Sequence, residues 1–316
     1  MSGSSKFIVI TTIYSPSIAT KRFCGMKGWQ VIIVGDRKTP HDEYQNLDCI
    51  YLLPEEQEFK YPELSAAIGW NTIQRRNIGF VEAYRRGAEV VATVDDDNIP
   101  LDDWGTDLYV GKEVEADLFE PTDDIFDPLS VTKNNHLWHR GFPLEYLARK
   151  NEVVACGTTK RKVLIQADLW NGDPDVDAMA RLVHRPEVTF DEITRPYCSN
   201  RISPFNSQNT FLAREVIPFY AMFPDVGRMD DIWASYFVQT LFPDSLIYNR
   251  ASVYQDRNEQ DLITNLENEI LGYRQTLPLV RAWQKQTTGL SSRPLGIPDR
   301  ALCFWDAYRA CFPASA

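Results

Sequence analysis

Histidine is scarce in this 316-residue chain, with four in all, and none of its six cysteines (Cys24, Cys49, Cys156, Cys198, Cys303, Cys311) forms a CxxC pair. That excludes the common zinc-ribbon and dithiol redox spacings. Scattered thiols in a chain of this size point to reduced cysteines rather than a disulfide framework. Basic charge is also short: 33 Lys and Arg face 44 Asp and Glu, for a net charge of −11. No nucleic acid is expected as a partner, because a phosphate backbone needs a basic face. No run approaches the ~20 apolar residues of a membrane-spanning helix, and the polar stretch from Met1 to Lys6 reads as neither signal peptide nor anchor. The expected location is cytoplasmic, with no integral membrane segment.

The chain does carry a globular balance, 44% hydrophobic against 24% charged, which excludes a disordered chain. Uncharged β-branched runs at Phe7 to Ile13, Trp29 to Val34, Cys49 to Leu53 and Val90 to Val94 read as buried strands. Ile73, Ile78, Val81 and Tyr84 recur at helical spacing between Asn71 and Arg86, and Gly87 stops that helix. Strands apolar on both faces, separated by helices, predict a mixed, mostly parallel sheet covered on both sides. Residues 100–204 are rich in Asp, Pro, Asn and Arg and predict loops and short strands around a site. A helix is expected from Glu259 to Gln286 and another from Ala301 to Cys311. The division is thus a nucleotide-binding α/β unit over 1–258 and a helical extension over 259–316 packed on it.

Asp95-Asp96-Asp97 directly follows the fourth strand. Three carboxylates there repel one another unless solvated or bound to a cation. Ligands of open α/β sheets bind outside the carboxyl ends of the strands. Hard oxygen donors suit Mg²⁺ or Mn²⁺, which would bridge to diphosphate oxygens. The pattern points to a divalent metal, against the plain alternative of a solvated acidic turn. Arg76 and Asn77, close to Gly79, either face back toward a nucleotide or belong to an exposed basic helix face. Asp36 either accepts from a nucleobase N–H or caps its own turn. Asp173, Asp175 and Asp177 form a sugar-binding loop or a surface turn, without the further ligands of an EF-hand. Asp230 and Asp231 open a helix, where acidic side chains are favoured whatever the function; either could act as general base toward an acceptor hydroxyl.

Taken in order, several segments resemble the glycosyltransferase-like domain of the STELLO proteins. They are Gly28-Trp29-Gln30, Val34-Gly35-Asp36, Lys38-Thr39-Pro40, Arg76-Asn77-Ile78-Gly79, Asp95-Asp96-Asp97-Asn98, the run from Asn171 to Ala178, and Asn206-Ser207-Gln208-Asn209-Thr210. Arg140-Gly141-Phe142-Pro143 and Asp230-Asp231-Ile232-Trp233 are more distantly similar to the reversibly glycosylated polypeptides, plant UDP-arabinopyranose mutases. The resemblance implies a GT-A fold, the nucleotide-diphospho-sugar transferase architecture. It implies that Asp95 and Asp97 contact ribose and metal, and that Thr11, Thr12, Asp36 and Arg76 line the nucleotide site, to which the reading of the residues adds Asn77 and Asp96. Asp173, Asp175, Asp177 and Asn209 go with the sugar, Asp230 and Asp231 with catalysis. Arg140 matches the arginine that the mutases glycosylate reversibly. Two departures stand out. The second mutase arginine, seven residues on, is Leu147 here, and their late histidine has no counterpart among His41, His136, His139 and His184. The expected function is a metal-dependent glycosyltransferase using a nucleotide-diphosphate sugar, a UDP-sugar by resemblance. The alternatives are a flavin-free pyranose/furanose mutase working through Arg140, or a catalytically silent scaffold. The acceptor saccharide is not identified, and assembly into a homo-oligomer is left open.

Overall fold

The uncharged β-branched runs become the parallel half of one mixed sheet in a computed structural model, which describes residues 5–257, 260–286 and 289–313. β1 (Lys6–Thr12), β2 (Gln30–Gly35), β3 (Ile50–Leu52) and β4 (Val90–Val94) lie in the order β3-β2-β1-β4, all parallel. α1 (Ile18–Cys24), α2 (Pro54–Lys60), α3 (Pro62–Ile68) and α4 (Arg76–Arg85) connect them. α4 packs on β1 and β2 so closely that a methyl group at Gly79 would collide with the side chains of Val9 and Val34. The long helix expected from Asn71 is broken. Asn71 takes a left-handed backbone (φ 58°), Asp36 accepts from the N–H groups of Asn71 and Thr72, and a 3₁₀ turn at Ile73–Arg75 precedes α4.

Beyond β4 come β5 (Asn98–Pro100), β6 (Glu113–Pro121), β7 (Val153–Lys162), β8 (Ile165–Gly172), β9 (Tyr197–Cys198), β10 (Asn209–Ala213) and β11 (Leu246–Gln255). The sheet continues β4-β10-β8-β11-β9-β6-β7, with β10 antiparallel to both of its neighbours. β5 stands off this path, antiparallel to β11. Two of these strands are long where short ones were expected. β6 and β7 set Glu113 opposite Lys162 and Glu115 opposite Lys160, so charged side chains rather than an apolar stripe face each other along part of this ribbon. It therefore lacks the hydrophobic alternation by which a strand is recognised in sequence.

α5 (Ala178–His184), α6 (Asp230–Leu241), α7 (Leu262–Gln286) and α8 (Asp299–Arg309) complete the fold. α7 packs on α5 and α6, and α8 on α3, burying Leu277, Val280, Trp283, Phe304, Trp305 and Tyr308 in the common core. The expected boundary at 258/259 and the expected helix start at Glu259 lie outside the described residues. The six cysteines are free. No helix among the described residues is long and apolar enough to cross a membrane. The result is the mixed α/β sheet flanked by helices that the sequence predicts.

Candidate functional site

Where β4 ends, each of the three successive aspartates is held differently. Arg76, buried in α4, donates from Nη2 to Asp95 Oδ1 at 2.5 Å and from Nη1 to the carbonyl and hydroxyl oxygens of Ser207, both at 2.9 Å. Asp96 accepts from the Thr12 hydroxyl, and its carbonyl accepts from the Ser17 hydroxyl. Burial pushes the Asp96 carboxyl above its ordinary range. Asp97 has no such partner: its Oδ1 is buried without a hydrogen bond. Burial, and then the charge of Asp95, push its carboxyl up to about 7.

Facing this acidic turn is a clamp built from three distant segments. Arg140 donates from Nε and Nη2 to Asp175 at 2.8–3.1 Å, and from Nη1 and Nη2 to Asp231 at 2.9 and 3.2 Å. Nη1 also donates to the Arg228 carbonyl. Although burial opposes it, the two carboxylates hold the Arg140 pKa well above its ordinary value. Burial is likewise outweighed at Asp231, whose carboxyl Arg140 keeps below the usual range. Asp231 further accepts from the backbone N–H of Ser207 at 2.9 Å. Its neighbour Asp230 behaves in the opposite sense. Burial and the adjacent Asp231 push it up to about 7, and its side-chain partner is the neutral Gln74 amide at 2.7 Å.

Two cavities meet at Asp97. One, of about 260 Å³, is lined by Asp95, Asp97, Arg140, Asp175, Asp230, Asp231 and Arg257 among others. The other, of about 460 Å³, lies between Tyr14, Ser17 and Ile18 on one side and Asp96, Asp97 and Asp256 on the other.

Several residues expected at the site are placed elsewhere. Thr11 donates to the Val34 carbonyl inside the sheet, while Thr12 reaches Asp96. Asn77 bridges Gln74 and both backbone groups of Met222. Both oxygens of Asp36 take backbone N–H groups, from Arg37, Asn71 and Thr72, which is the turn-capping alternative. Asp177 caps α5 by accepting from Ala180 N at 2.8 Å and also takes the Trp138 indole N–H. Asn209 is buried, donating to Leu169 O and Ser252 Oγ and accepting from Trp104 Nε1. Asp173 stands aside, ion-paired to Arg181. Of the four residues expected to bind sugar, Asp175 alone lines the first cavity. Asp177 and Asn209 instead satisfy backbone groups, the commonest use of Asp and Asn in turns, and Asp173 pairs with Arg181. Gln74, Arg228 and Arg257 line the cavity without having carried any motif.

Asp95 and Asp97 offer hard oxygen donors to that cavity, and the orphaned Asp97 oxygen suits a divalent cation. Among the described residues no group of three His, Cys, Asp or Glu side chains could hold a metal. Two carboxylates alone do not fill a divalent cation's shell, so a cation here would need further ligands from outside the protein.

No protein-family model matches the chain. It is 25% identical over 294 residues to the protein named probable glycosyltransferase STELLO2 of Arabidopsis thaliana, and 24% identical over 298 residues to STELLO1 of the same plant. Each match covers 83% of this chain and 38% of the relative, so the chain spans well under half the length of these curated relatives. Two solved structures share 11% identity with it. Glucosyl-3-phosphoglycerate synthase of Mycobacterium tuberculosis aligns over 90% of this chain and 81% of its own, at a TM-score of 0.44. The mannosyltransferase PcManGT of Pyrobaculum calidifontis aligns over 97% and 69%, at 0.39. By its sequence over most of its length the chain is similar to the STELLO proteins, and its fold is a mixed α/β sheet with three aspartates at the end of β4.

Proposed function

We propose that the chain is a metal-dependent glycosyltransferase that takes its sugar from a nucleoside-diphosphate donor, with a UDP-sugar as the donor. The position of Asp97 carries this reading, because it lines both cavities. A nucleoside fits the cleft under Tyr14, the sugar and acceptor fit the cavity of Asp230, and the diphosphate crosses between them past Asp95 and Asp97. The glycosyltransferase name of the STELLO relatives supports the same chemistry.

A divalent ion at Asp95 and Asp97 would supply charge neutralisation for the departing diphosphate. The chain's own residues do the rest. Asp230 takes the proton of the acceptor hydroxyl as that oxygen bonds to the anomeric carbon and the bond to the diphosphate breaks. Gln74 fixes the Asp230 carboxyl, and Arg140 holds Asp175 and Asp231 as a rigid wall for sugar hydroxyls. A mutase route through Arg140 finds no support in this geometry. Its guanidinium is wedged between two carboxylates that hold its proton more tightly than usual, whereas a nucleophile must give it up. The test is a thermal-shift screen of nucleotide sugars with Mn²⁺, followed by assay of nucleoside diphosphate release. Wild type should show a Mn²⁺-dependent shift that Asp97→Asn abolishes. No metal-dependent shift with any donor would overturn the enzyme in favour of the silent scaffold.

A further inference from the structure

The pairing of β5 with β11 brings in a side chain far from Asp97 in sequence. Gln255 stands opposite Asn98, and the backbone N–H of Asp256 donates to the Asp97 carbonyl at 3.1 Å. The next residue, Arg257, therefore enters the cavity that Asp97 lines. Its side chain is 5% exposed, and its Nε and Nη2 are buried without a hydrogen-bond partner. Asp173 and Asp175 balance its charge from 3.7 and 3.9 Å, too far to accept a hydrogen bond. A buried guanidinium N–H without an acceptor is costly, because it has left water and gained no partner.

The other cations of this wall are engaged. Arg140 is held by Asp175 and Asp231, and Arg228 donates from Nε to Glu269 at 2.8 Å. Among the described residues lining the cavity, Arg257 is the cation whose buried N–H groups lack an acceptor. Asp97 Oδ1 is unsatisfied in the same cavity, and the two do not meet in a hydrogen bond or an ion pair. An orphan donor and an orphan carboxylate kept apart define a gap for a ligand that accepts from one and shares a cation or proton with the other.

Resting on the donor-binding reading above, we propose that Arg257 donates its Nε and Nη2 hydrogens to the β-phosphate of the bound nucleoside diphosphate, as a fixed cation on the wall facing Asp97. The planar fork of a guanidinium matches two phosphate oxygens at once, which an ammonium does not. Part of the diphosphate affinity then belongs to the protein itself and survives removal of the metal.

Calorimetric titration of the full chain with UDP, CDP, GDP and ADP, each paired with its monophosphate, in EDTA and in Mn²⁺, tests this. In EDTA, wild type should prefer the diphosphate by roughly 10- to 100-fold, the worth of charge-assisted hydrogen bonds. Arg257→Gln should erase that preference and leave monophosphate affinity unchanged, a retained affinity that also reports an intact fold. Arg257→Lys keeps the charge but not the fork and should retain a reduced preference. A diphosphate preference unchanged in Arg257→Gln, or mono- and diphosphate affinities that fall together, overturns the role of Arg257. A preference seen only with Mn²⁺ and indifferent to Arg257 overturns it as well, while leaving the glycosyltransferase reading intact. Failure of wild type to bind any of these nucleotides overturns both.

Discussion

Adjacent aspartates at the start of α6 are driven apart by what each one faces. Asp231 meets Arg140 and Ser207 and stays ionised, whereas Asp230, buried beside that negative charge, is pushed up to about 7. Only the ionised form of Asp230 can take a proton. The transfer rate should therefore climb about tenfold per pH unit below about 7 and level off above it. Asp230→Asn should lower the rate by about 10²–10⁴ and remove that climb while nucleotide binding, followed by calorimetry, stays intact. A variant that keeps the pH dependence excludes Asp230 as the base. Arg140 belongs to a different class of residue. Arg140→Met would leave Asp231 buried without its cation and Asp175 with only Arg228 and Arg257 at 3.9 Å, a loss of about 3–5 kcal/mol in denaturant unfolding. A loss below about 1 kcal/mol would place those carboxylates in contact with water. The acidic triplet was legible in sequence because a buried strand running into three carboxylates is a local pattern. The roles of Asp230 and Asp231 were not, since Arg140 lies far from both in sequence and nothing local says which of them it meets.

Elements position these side chains through a few close contacts. Gly141 takes φ 82°, and a methyl group there would collide with Ile232 in the first turn of α6. That contact sets the distance between the Arg140 turn and the helix carrying Asp231. Gly141→Ala combines overpacking with a backbone that L side chains rarely adopt. It should cost about 1–3 kcal/mol or more in chemical denaturation and weaken donor binding as the clamp shifts. Unchanged stability together with unchanged binding would remove this contact from the positioning of Arg140. The same scale explains where strands were recognised and where they were missed. β1, β2 and β4 are buried on both faces and read as continuous apolar runs, while β6 and β7 carry facing charged residues that look like loop sequence. The helix from Asn71 breaks where Asp36, arriving from the end of β2, takes its first N–H groups.

Across the whole molecule, the C-terminal helices are part of the core that supports the site. Glu269 of α7 accepts from Arg228 and from the backbone N–H of Ala178, Thr276 accepts from Trp233 Nε1 at 2.9 Å, and Tyr308 donates to the Ile217 carbonyl. A chain ended after residue 257 should therefore lose cooperative thermal unfolding, measured by circular dichroism, because Trp283, Trp305 and Tyr308 leave the core together. A truncated chain that melts cooperatively near the full-length temperature would make the extension an independent appendage. By itself the sequence determined the alternating α/β plan and the acidic end of β4, since apolar periodicity and strand-end charge act over a few residues. Only the tertiary structure decided that Arg140 joins Asp175 to Asp231, that the Asp230 carboxyl is pushed up to about 7 beside them, and that Arg257 arrives opposite Asp97. Those relations depend on strand register and buried charge balance, which exist only once distant segments share one low-dielectric interior.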